Sequence, residues 1–151
     1  MIISQNYAGK KIDLCVLGTS SNPGTEVVKV GLLDSGSVIA GPYKVVQKFI
    51  KYLLTEVGSV VADPTYGTEF IQLLMSGQIH TNSELILRFN LEYPAAKNYI
   101  RRSNLTPTDD ENLIAVTLES FEAIQDTATM RLLFTFKDNS TLLTPVSIST
   151  L

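Results

Sequence analysis

Between Pro42 and Gly77 the chain reads PYKVVQKFIKYLLTEVGSVVADPTYGTEFIQLLMSG, and no other stretch limits the possible folds as much. From Val45 the apolar residues fall at Val46, Phe49, Ile50, Leu53, Leu54 and Val57, one continuous helical stripe, with Lys44, Lys48, Lys51 and Thr55 opposite. Pro42 suits a first helical turn, where a missing N–H has no bond to lose, and Gly58 offers a C-terminal stop. The helix cannot run on through Asp63-Pro64, because the proline steers Asp63 away from helical geometry. Gly67 can take a positive φ, Thr68 can cap, and Glu69 suits the positive end of a second helix. Phe70, Leu73 and Leu74 give that helix an apolar face, and Gly77 ends it. The stretch predicts a helix, an ordered loop and a shorter helix.

On its N-terminal side the pattern has period two. Ile12, Leu14 and Val16 alternate within residues 11–17, and Val28, Val30 and Leu32 alternate within Glu26 to Leu33. Gly18 to Thr25 reads as a loop around Asn22-Pro23-Gly24, and Asp34-Ser35-Gly36 turns the chain into a short apolar run, Val38 to Ala40. Residues 1–41 thus predict a β-meander. On the other side, Thr81 and Glu84 have capping-box spacing. They open a helix reaching Arg102, with Ile86, Phe89, Tyr93, Ala96 and Ile100 as its stripe and a kink or break at Pro94. The helical region spans 42–102. After a polar loop, Ser103 to Asn112 with the acidic run Asp109-Asp110-Glu111, residues 113–151 read as three antiparallel strands. Ile114, Val116 and Leu118 face one way in the first, and Met130, Leu132, Phe134 and Phe136 do so in the second. Asp126-Thr127 and Asp138-Asn139 supply the turns. Pro145 argues that the last strand, Leu142 to Thr150, is an edge or partly unpaired. Strands, helices, then strands make the fold class α+β.

Composition narrows the function classes. With 151 residues, 44% hydrophobic and 18% charged, the chain reads as one globular domain. A net charge of -3 gives no basic footprint for nucleic acid. No apolar run is long enough to cross a bilayer, and the lysines of MIISQNYAGKK follow the apolar residues, the wrong order for a secretory signal. The expectation is a soluble intracellular domain. His80 is the sole histidine and Cys15 the sole cysteine, which predicts no metal site, no cofactor and no Ser-His-Asp chemistry. Cys15 fits a small core residue. Glu56, Asp63 and Glu69 flank the central loop and could in principle form a glycosidase pair. Each also has a simpler local role, as helix-end, turn and first-turn residue, and no catalytic residue is assigned.

Read as a series, Asp34-Ser35-Gly36, Gly41, Val45-Val46-Gln47, Leu53-Leu54-Thr55, Gly58, Asp63-Pro64, Tyr66-Gly67-Thr68 and Leu73-Leu74 form an ordered pattern. This order resembles the small baseplate wedge family of contractile phage tails, which also serves type VI secretion and related injection machines. With the later helix and strands it covers about 120 residues. The chain departs from the family pattern at Ser59, where a glutamate is usual, and lacks a Glu-Pro-Arg tripeptide near Arg101-Arg102.

The resemblance implies a structural role, in several copies of a symmetric virion assembly made in the host cytoplasm. Its partners would be other baseplate wedge proteins, the tail sheath protein and tail tube or hub proteins, with no nucleic acid and no membrane. The implied mechanism is strand addition that starts sheath assembly. Candidate partner-binding residues are Arg101, Arg102, Asp63, Tyr66, Val146 and Ile148. The alternatives are a lysozyme-like cell-wall glycosidase and a stand-alone α+β protein-binding module.

Overall fold

The computed structural model describes residues 13–14, 17–22, 25–30, 38–124 and 127–149, with side chains over 40–124 and 127–148. The fold is α+β. In chain order the elements are β1 (Asp13–Leu14), β2 (Leu17–Asn22), β3 (Thr25–Val30), β4 (Val38–Ile39), α1 (Pro42–Leu53), α2 (Phe70–Met75), α3 (Asn82–Ser103), β5 (Leu113–Ile124), β6 (Thr127–Phe136) and β7 (Thr141–Ser149). They fall into two compact units, Met1–Gln47 with Thr106–Leu151, and Lys48–Leu105.

The first unit is built on a five-stranded sheet in the order β2-β3-β7-β6-β5, and β1 pairs with β4 in a separate ladder. Of the strands expected within residues 1–41, β2 and β3 thus lie side by side in the larger sheet, and β1 lies beside β4. β2 and β3 form an antiparallel pair from Leu17↔Val30 to Asn22↔Thr25, and β3 joins β7 in parallel at Val27↔Leu143. The loop expected from Gly18 to Thr25 is mostly strand. Only two residues separate Asn22 from Thr25, the shortest common hairpin connection, so ladder pairing overrides the polar composition. The expected turn residues Pro23, Gly24 and Asp34 to Gly36 lie outside the described residues, as do 11–12, 15–16 and 31–33 of the expected strands.

β5, β6 and β7 form the expected antiparallel set. Ala128, Met130, Leu132, Phe134 and Phe136 of β6 are buried on one face, with Leu142 and Val146 of β7. In β5 the buried residues are Leu113, Val116 and Leu118, while Ile114 is exposed. A register shift between Leu113 and Ala115 explains this, because a bulge inserts one residue and turns Ile114 outward. The expected turn at Asp126-Thr127 falls one residue late: Thr127 already pairs with Ile124, and 125–126 lie outside the described residues. At the other turn Asn139 takes a φ of 65° and Asp138 Oδ1 accepts from the Ser140 amide and hydroxyl.

β7 is not an edge. It pairs with β6 over nine residues, from Thr127↔Ser149 to Thr135↔Thr141, and meets β3 on its other side. Strand amides alternate between the two neighbours, so Pro145 removes one donor towards one of them. The β3 ladder registers at Leu143 alone, which leaves that side partly paired.

Lys44 and Glu111 correct the sequence reading more sharply. Both were expected in solvent, yet their side chains are 3% and 6% exposed and Lys44 Nζ lies 3.4 Å from Glu111 Oε1. This pair anchors the first turn of α1 to the loop before β5. An exposed pair, Lys137 with Asp109 at 3.0 Å, holds the same loop to the β6–β7 turn and contributes little in solvent. Removing one charge of a buried pair strands the other without compensation. Lys44→Met is therefore expected to cost about 3–5 kcal/mol in urea unfolding, while Lys44→Met with Glu111→Leu should return close to wild-type stability.

Candidate functional site

The central stretch closes on itself through Thr68. Its side chain is buried; Oγ1 donates to the Leu53 carbonyl at 2.7 Å and accepts from the Phe70 amide at 3.2 Å. The end of α1 and the start of α2 thus share one hydroxyl. Backbone bonds flank it: Thr68 N–H to Thr55 C=O at 2.9 Å, and Val57 N–H to Thr68 C=O at 3.1 Å. Gly67 passes close to α1's end with a φ of 108°, where a Cβ would lie 2.3 Å from the Thr55 oxygen. Only glycine fits there.

This closure stops α1 at Leu53, earlier than the expected Val57, because the Leu53 carbonyl is taken by Thr68 instead of a further helical amide. Val57, expected on the buried stripe, is exposed. Thr68 caps as expected, one position further from the helix: Glu69 flanks α2 without a side-chain cap bond.

Between these contacts the loop holds its own shape. Asp63 Oδ1 accepts from Thr65 N–H at 3.1 Å and Thr65 Oγ1 at 2.6 Å, an Asx turn, and the Asp63 carbonyl accepts from Tyr66 N–H at 3.0 Å. That turn delivers Tyr66 to two other tyrosines. Ring centroids are 4.9 Å apart for Tyr52–Tyr66, 4.6 Å for Tyr52–Tyr99 and 5.2 Å for Tyr66–Tyr99, one stacked and two edge-on contacts. Burial, the neighbouring tyrosines and a hydrogen bond with Tyr99 push the Tyr66 hydroxyl up to about 12. The Tyr52 hydroxyl is also raised, first by burial and then by the Asp63 charge, with Arg102 opposing. No sequence spacing links positions 52, 66 and 99; only their shared residue type hints at a cluster.

α3 carries the other candidates. Its capping box is present, with Thr81 Oγ1 accepting from Glu84 N–H and Glu84 Oε2 from Thr81 N–H. The carboxyl of Glu84 is held below its usual range, chiefly by the amide of His80. The helix runs unbroken through Pro94, which is exposed, so the carbonyl it leaves unpaired can be hydrated. Leu85 takes the buried place expected for Ile86, which is exposed, and Phe89, Ala96 and Ile100 are buried as expected. Phe70 of α2 meets Phe89 edge-on at 6.1 Å, and Phe89 stacks with Tyr93 at 5.8 Å.

Arg101 and Arg102 lie exposed in the last turn of α3. Of the candidates only Tyr66 touches the Tyr52 ring; Asp63 and Arg102 act on the Tyr52 hydroxyl through their charges, in opposite directions. Val146 and Ile148 belong to the other unit and are not part of this group. Val146 is 1% exposed and pairs with Met130, so its side chain is occupied within the fold, and Ile148 is half-buried. Glu56 and Glu69 are exposed, Asp63 is committed to its turn, and among the described residues no acidic, histidine or cysteine cluster could hold a metal. An open groove of about 380 Å³ is lined by Glu56, Ile71, Gln72, Met75 and Ser76. No family model, curated protein or solved structure matches the chain.

This geometry sets both the stability of the junction and the titration of Tyr66. Gly67→Ala should destabilise the protein by more than about 2 kcal/mol in denaturant unfolding, since strain and a backbone clash add, and Thr68→Val by about 1–2 kcal/mol. Because Tyr66 resists ionisation in the folded state, its contribution is fully present below pH 10 and is lost as pH rises towards about 12. Tyrosinate absorbance should show a late-titrating group that Tyr66→Phe removes.

Proposed function

We propose that the chain is a structural, non-enzymatic subunit of a contractile-tail baseplate, present in several copies. It links wedge proteins to the tail and starts sheath assembly by strand addition. One observation carries the reading. The loop residues that bear the resemblance, Asp63, Pro64, Tyr66, Gly67 and Thr68, are those whose turn, ring contacts and hydrogen bonds close the helix–loop–helix. A motif of this kind maintains a shape and requires no reaction centre.

With β7 inside the sheet, the strand suited to addition is β5, a 12-residue strand that among the described residues has β6 on one side only. Alternate main-chain groups along its outer side can receive an extended segment from a tail or sheath protein. Register shifts at Leu113/Ala115 and Leu118/Ser120, with exposed Glu119 and Glu122, interrupt that edge and disfavour indiscriminate stacking.

The chain should copurify with tail or baseplate particles, and hydrogen exchange should show β5 amides protected in the particle and open in the free protein. A chain found only free in solution, absent from assembled tails, overturns the proposal. In a muralytic assay the pure protein should show no activity, and Asp63→Asn and Glu69→Gln should change nothing.

A further inference from the structure

Opposite its buried side, α3 presents a second apolar face. Leu87 and Leu91 are 59% and 61% exposed, and Pro94, Ala95 and Asn98 continue their strip along the helix. Charge along this face is polarised, with Glu84 in the first turn and Arg102 in the last. Glu84 uses Oε2 for the cap, bonding the amides of His80 at 2.8 Å and Thr81 at 3.3 Å, which leaves Oε1 for another donor.

We propose that this face docks a second copy of the chain, the two α3 helices lying antiparallel about a twofold axis at the level of residue 93. In that register Glu84 of one copy opposes Arg102 of the other, Leu91 opposes Ala95, and Arg88 opposes Asn98, each pair occurring twice. No two like charges meet. A parallel pairing instead sets Arg102 against Arg102 and Arg88 against Arg88, which is repulsive. The contact follows a helix about 33 Å long. A single helix pair falls in the small class of interfaces, so the dimer is weak and concentration-dependent. This association goes beyond the assembly role proposed above and is read on the purified chain alone, so either can fail without the other.

Sedimentation equilibrium of the full chain should show reversible monomer–dimer exchange. Leu91→Asp buries a carboxylate at the contact and should lower the association constant at least about tenfold. Its fold, checked by circular dichroism, should be retained because the site is exposed. Direction is read by oxidative cross-linking in a Cys15→Ala background. Pro94→Cys places its thiols about 3 Å apart along the axis and should form a disulfide-linked dimer, whereas Leu87→Cys places them about 18 Å apart and should not. A chain that stays monomeric at every concentration overturns the proposal. So does association indifferent to Leu91→Asp, or equal cross-linking from Leu87→Cys and Pro94→Cys.

Discussion

The Thr68 hydroxyl holds the helical unit in register. A helix end leaves carbonyls unpaired and a helix start leaves amides unpaired, and burial of either is costly. Here one hydroxyl donates to the Leu53 carbonyl and accepts from the Phe70 amide, so the two ends satisfy each other through a single atom. The backbone bonds to Thr55 and Val57 make the junction a short parallel bridge, and Gly67 lets the chain approach closely enough for them to form. A serine could supply the same two bonds, but a valine of nearly the same shape could supply neither.

Everything around that junction is arranged by it. The Asp63 turn brings Tyr66 back against Tyr52 and Tyr99, and the Phe70 ring, next in line after the cap, reaches Phe89. Ring contacts of this kind add about 0.5–1.5 kcal/mol each beyond the area they bury. They depend on placement to within an ångström or so, which the junction provides. In the sheet unit the corresponding anchor is electrostatic. The Lys44–Glu111 pair is out of solvent and fixes where α1 begins relative to the loop that starts β5.

The carboxylates that might have served catalysis have local duties or face solvent, while among the described residues β5 is paired on one side only and α3 keeps an apolar strip outward. Their chemistry differs: the sheet edge offers main-chain hydrogen bonds to an extended segment, and the helix face offers side-chain packing with polarised charge.

The sequence by itself determined the elements whose signals are local. The stripe from Val46 to Leu53, the capping box at Thr81 and Glu84, and the alternation from Met130 to Phe136 each depend on neighbours within a turn or two. Propensity and periodicity act at that range. Tertiary structure decided whatever turns on a distant partner. Val57 left the buried stripe because Thr68 claimed the Leu53 carbonyl, and Lys44 left the solvated face because Glu111 meets it from 67 residues away. β7 became an inner strand because β3 reached it from the other end of the chain, and Leu85 replaced Ile86 because the side of α3 that is covered is set by packing. The candidate site divides in the same way. Asp63, Gly67 and Thr68 were legible as turn and cap, whereas the joining of Tyr52, Tyr66 and Tyr99 was not, since hydrophobic and hydrogen-bonding contacts between remote residues leave no period in the sequence to read.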